Sequence, residues 1–119
     1  MILIDTSVWI DHLHSAEPEL VGLLNRSMVA QHPMVIGELS LGSLRNRDRV
    51  IDLLANLTVT TIATHDEVLA FVRVNALHGR GLTLVDAHLL ASVILTSGAQ
   101  LWTRDKRLRQ VAEDLGVAR

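Results

Sequence analysis

Four acidic residues stand where chemistry is easiest to place in this chain: Asp5, Glu38, Asp86 and Asp105. Asp5 and Asp105 each follow a short apolar run, Ile2-Leu3-Ile4 in one case and Leu101-Trp102, then Thr103 and Arg104, in the other. Glu38 and Asp86 each sit in a helical pattern whose neighbours are mostly apolar. Carboxylates drawn together repel one another unless protons or cations intervene. The chain has no cysteine, so any ligands would be hard oxygens, and such sites take Mg2+ or Mn2+. An ion held that way acidifies water and stabilises charge on a phosphate under in-line attack. Metal-assisted phosphodiester hydrolysis is the chemistry that these residues could perform together.

Each acid also has a plainer reading. Asp5, with Thr6 and Ser7, could simply cap the helix that follows. Glu38 could lie on a solvent face, and Asp86 could be a cap at the positive end of its helix. Arg104, Lys106 and Arg107 flank Asp105 and are candidates for substrate phosphates or for a solvated face. Arg45, Arg47 and Arg49 pose the same choice. His32 precedes the helix of Glu38 and is a candidate for proton transfer. His12 and His14, two apart on a helix, point in different directions, and His88 for the same reason faces away from Asp86. Trp9 and Trp102 sit in apolar runs and read as core.

The elements that must position these groups follow from hydrophobic pattern. Ile2 to Ile4, Met28 to Ala30, Thr58 to Ile62 and Gln100 to Trp102 read as strands, with Val117 and Ala118 as a short fifth. Helical patterns fill the intervals, among them Pro18 onward, Pro33 onward and the strongly apolar stretch from Leu82 to Ser97. Gly79 and Gly81 read as helix stops, since no phosphate-loop spacing is present. Strands alternating with helices make an α/β fold with a parallel sheet. An unbroken apolar first strand belongs in a sheet covered on both faces, whose ligands sit beyond the strands' carboxyl ends.

A length of 119 residues fits one domain, 1–119, and 49% hydrophobic residues with only 3% aromatic imply an aliphatic core with apolar surface left for a partner. No apolar run approaches the about 20 residues of a membrane span, and Asp5 interrupts any leader. With no cysteine, a cytoplasmic location is expected. Net charge is −2, but setting aside the four acids leaves nine against eleven basic residues, so a polyanionic substrate remains compatible.

Four short stretches in order carry a more specific signal: ILIDTSVWID at the start, ELSLG from Glu38 to Gly42, LVDAHLLA around Asp86 and LWTRDKRL ending at Leu108. From Met1 to about Val117 the chain resembles PIN-domain ribonucleases, specifically the toxins of VapBC toxin–antitoxin pairs. The resemblance implies a three-layer α/β/α sandwich with four to five parallel strands, the first beside the fourth. It implies a Mg2+- or Mn2+-dependent endoribonuclease whose acidic quartet falls on Asp5, Glu38, Asp86 and Asp105. The first three would hold the primary ion, and Asp105 would bind a second ion or orient the attacking water. The hydroxyls near the family's metal site would fall on Thr6 or Ser7 and on Thr103. The implied partners are an antitoxin covering an apolar groove, an RNA substrate and a second copy in a homodimer. A non-catalytic binding module on the same fold is the alternative. A phosphoacceptor receiver is disfavoured because Thr6 follows Asp5, and a haloacid-dehalogenase-like phosphatase because position 7 is Ser.

Overall fold

The computed structural model describes Met1–Arg119 and is built on four parallel strands. β1 (Ile2–Ile4) lies between β2 (Val29–Gln31) and β4 (Gln100–Trp102), and β3 (Thr58–Val59) lies outside β2, giving the order β3-β2-β1-β4. Every residue of β1 and β2 is buried, so both faces of the sheet centre are covered. The seven helices around the sheet are α1 (Thr6–His14), α2 (Pro18–Asn25), α3 (Pro33–Ser40), α4 (Arg47–Ala55), α5 (His65–Val74), α6 (Leu84–Leu95) and α7 (Lys106–Asp114). The layered α/β expectation holds, as does the placing of the first strand beside the fourth.

Register is what matters for the site. Ile2, Leu3 and Ile4 pair with Gln100, Leu101 and Trp102, and the Asp5 N–H continues the ladder by donating to the Trp102 carbonyl at 2.9 Å. Asp5 and Thr103 therefore leave the sheet side by side. β1 has a neighbour on each side, so the chain reverses direction of growth here, the place where parallel sheets open a crevice.

Two strands differ from their sequence boundaries. β2 begins one residue late, because Ser27 takes a left-handed turn (φ 55°) and leaves Met28 partly exposed at the strand's entry. β3 keeps only Thr58 and Val59 of the expected five residues. The Thr60 N–H still donates to the Gln31 carbonyl at 3.2 Å, and the segment then turns to α6: the Thr61 N–H donates to Thr96 Oγ1 at 3.0 Å, and Ala63 packs with Val68, Ala87 and Ala91. The fifth strand is reduced to a single parallel bridge between Leu101 and Ala118.

α6 is buried continuously from Ala87 to Val93 and packs against α3, α5 and β4. Leu89 and Leu90 are fully enclosed, and each contributes roughly 2 kcal/mol through removal of its side chain from water. This helix is the core's central rod, and it carries Asp86 in its first turn. No helix is long and apolar enough to cross a membrane.

Candidate active site

Asp5 occupies the N-cap position of α1, yet its side chain makes no capping bond. Its Oδ2 instead accepts from the Ser7 and Thr103 hydroxyls, both at 2.7 Å. Each hydroxyl has one proton, so both are oriented toward the carboxylate, and their own oxygens accept from backbone: Ser7 Oγ from the Arg104 N–H and Thr103 Oγ1 from the Asp105 N–H, each at 3.1 Å. Asp5 is only 7% exposed. One of its oxygens is thus fixed by two donors, and Oδ1 carries none of these bonds.

The other acids are held from their own elements. Glu38, on an exposed face of α3, accepts from the Thr6 hydroxyl at 2.7 Å, which ties it to the first residue after Asp5. Asp86 closes a capping box at the start of α6: its Oδ2 accepts from the Thr83 N–H at 3.0 Å while Thr83 Oγ1 accepts from the Asp86 N–H at 3.1 Å. Burial pushes the Asp86 carboxyl above the usual carboxylate range, the Thr83 N–H pulls it down, and the charges of Asp5 and Asp105 add to the upward push. Asp86 is therefore within electrostatic reach of both strand-end acids. Asp105 caps α7, accepting from the Leu108 N–H at 2.9 Å.

No three of the acidic or histidine side chains close on a single point. Mg2+ keeps several waters and takes one or two carboxylates directly, so an all-oxygen donor set suits it in chemical character.

The three basic candidates separate. The Arg104 guanidinium is paired with both Asp11 and Glu17 and lies 6.0 Å from the Trp102 ring centroid, so it is turned toward α1 and the α1–α2 connection. Lys106 and Arg107 are exposed and free of ion pairs. Of the second cluster, Arg47 pairs with Asp48 and donates to the Ser40 carbonyl.

His32 is buried to 1% exposure, and its Nδ1 accepts from the Met34 N–H at 3.0 Å. Burial, then the neighbouring His88, lowers it to about 4. A ring with its lone pair already engaged and its pKa that low is not a general base at neutral pH. His88 does face inward, toward His32 and the stacked ring of His65. His12 accepts from the Glu17 N–H, and both tryptophans are buried in the core. Sequence reasoning passed over Thr83, Asp11 and Glu17. The Thr83-x-x-Asp86 spacing is a capping signature and was open to reading; the two acids gave no local signal.

Comparison with known proteins gives the family. The profile of the PIN domain family matches residues 2–114. The chain is 57% identical over 118 residues to Ribonuclease VapC32 of Mycobacterium tuberculosis, in strains CDC 1551 / Oshkosh and ATCC 25618 / H37Rv, covering 99% of this chain and 95% of each relative. The crystal structure of FitAcB from Neisseria gonorrhoeae superposes with a TM-score of 0.65 at 20% identity, covering 99% of this chain and 95% of that one, a likeness of fold. With the family profile spanning nearly the whole chain and this identity sustained end to end, the chain belongs to the PIN-domain family and, within it, to the VapC-type ribonuclease toxins.

Proposed function

We propose that the protein is an endoribonuclease that hydrolyses RNA phosphodiester bonds with Mg2+ or Mn2+ at Asp5, Glu38, Asp86 and Asp105. The observation that supports this most strongly is the seating of Asp5. Two hydroxyls, Ser7 in the first turn of α1 and Thr103 just past β4, fix one oxygen and leave the other for a cation, an arrangement a mere helix cap has no use for. What a bound ion supplies is charge neutralisation at the scissile phosphate and acidification of water. The chain's own residues do the positioning. Ser7 and Thr103 hold Asp5, Thr6 holds Glu38, and Thr83 holds Asp86, so three acids are fixed by a neighbouring hydroxyl or cap before substrate arrives. Asp105, two residues beyond Thr103, would bind a second ion or orient the attacking water.

The protein acts in the cytoplasm as the toxin of a toxin–antitoxin pair, and a small antitoxin covers apolar surface and obstructs the site. Exposed apolar side chains support a covering partner: Ile10 and Leu13 line a cleft of about 650 Å³ with Leu44, and Leu41 nearby is 90% exposed. A second copy of the chain would cover further apolar surface in a homodimer.

The test is cleavage of total cellular RNA by purified, partner-free protein with Mn2+ or Mg2+, beside a chelator control and the Asp5→Asn and Asp86→Asn proteins. Discrete fragments that require the ion and both acids are expected. Undiminished cleavage by both variants, free of contaminating nuclease, would remove the site assignment. A folded protein with no ion-dependent cleavage would favour the non-catalytic binding module.

A further inference from the structure

The segment around α7 carries five basic side chains with sharply different surroundings. Arg80 pairs with Asp114 at 2.7 Å, Arg104 with Asp11 and Glu17, and Arg109 with Glu113 at 2.9 Å. Arg107 has no acidic partner, and something other than a carboxylate sets its place. Its side chain lies over Gly81: a Cβ at that glycine would stand 2.6 Å from Nη1, 2.7 Å from Cδ and 3.1 Å from Cζ. Gly81 also has a φ of +78°, so backbone conformation and close approach both call for glycine there. Lys106, the fifth, has no comparable seat.

The loop beneath Arg107 matters because of where it leads. Arg80 docks on Asp114 and Gly81 on Arg107, residues seven apart and so on one face of α7. Held along that face, the chain passes through Leu82 to Thr83, whose capping box fixes Asp86. Arg107 is also two residues beyond Asp105, in the first turn of α7. Its guanidinium thus lies over the loop that leads to one proposed site acid, on the helix whose N-cap is another. A cation without a carboxylate partner, seated on the two elements that carry two of the proposed site acids, is the complement of a polyanion that must approach them.

We propose that Arg107 is a substrate-binding residue that contacts an RNA phosphate through its planar fork, and that Gly81 is the seat that places it. The assignment rests on the ribonuclease reading for the identity of the polyanion. The alternative role, docking the loop alone, predicts a different result.

The experiment measures binding of a labelled single-stranded RNA of mixed sequence to the Asp5→Asn protein in Mg2+, across a range of salt, so that it does not depend on turnover. Adding Arg107→Ala is expected to weaken binding about tenfold, as for loss of one charged hydrogen bond. It should also reduce the slope of log Kd against log salt by about 0.7, the share of one phosphate on a single strand. Arg107→Lys should keep the slope and recover part of the affinity. Gly81→Ala should weaken binding by displacing the guanidinium, and should add little when Arg107 is already Ala. Unchanged affinity and slope in Arg107→Ala, or a lowered melting temperature as its only effect, would overturn the proposal. Failure of the ribonuclease reading is separately visible: the parental protein would then fail to cleave RNA with Mn2+ whatever the binding data show.

Discussion

At the scale of single residues, burial decides which titratable groups can act. His32 has sequence credentials for proton transfer, but the Met34 N–H occupies its Nδ1 lone pair, so the neutral ring carries its proton on Nε2. Its pKa falls from 6.5 to about 4 through burial first and His88 second. The sign of the linkage follows. The unfolded chain takes up a proton as pH falls below about 6.5, and the native state does not until about 4. Stability from the neutral ring is fully present above that window and is lost as pH falls through it, to an upper bound of about 3 kcal/mol. In His32→Asn the amide oxygen can still accept from the Met34 N–H, and nothing titrates. Urea unfolding of both proteins should show the wild type losing ground to the variant between about pH 6.5 and about pH 4. A constant difference across that range would mean that His32 titrates alike in both states.

At the scale of elements, α5 and α6 begin with the same device: Thr64 and Glu67 close one capping box, Thr83 and Asp86 the other. Replacing either threonine by alanine removes one capping bond and should lower stability by about 1 kcal/mol. Only Thr83→Ala loosens the turn that holds a site acid, so only it should also lower ion-dependent cleavage, by roughly tenfold. Equal cleavage by the two variants, measured well below their melting temperatures, would separate Asp86 from catalysis. Much at this scale was legible in sequence. The unbroken apolar run before Asp5 marked a central strand, and the pattern around Asp86 marked a core helix. Less visible was what tertiary contact decides. Thr58 to Ile62 has the composition of a strand throughout, but only Thr58 and Val59 form one, and by Thr61 the backbone N–H has turned to Thr96 at the end of α6. Arg104 reads locally as a phosphate ligand. Its actual partners, Asp11 and Glu17, lie 93 and 87 residues earlier in the chain, beyond any local pattern.

At the scale of the whole molecule, the site sets a conflict between folding and charge. The sheet brings Asp5 beside the end of β4, and the charges of Asp5 and Asp105 act on Asp86 at the start of α6, so the proposed site sets like charges against one another. Asp5→Asn removes one of these charges and keeps an oxygen for the Ser7 and Thr103 hydroxyls. Without divalent ions its melting temperature should equal or exceed that of the wild type. A cation reverses the order. If Asp5 is a ligand, Mn2+ at a hundred times its dissociation constant should stabilise the wild type by about 2.7 kcal/mol, a rise of roughly 10 °C in a domain this size. The same titration should move Asp5→Asn far less. Crossing of the two stability curves as ion is added is the signature of a carboxylate kept for binding at the expense of the empty fold. Parallel rises would place the ion away from Asp5.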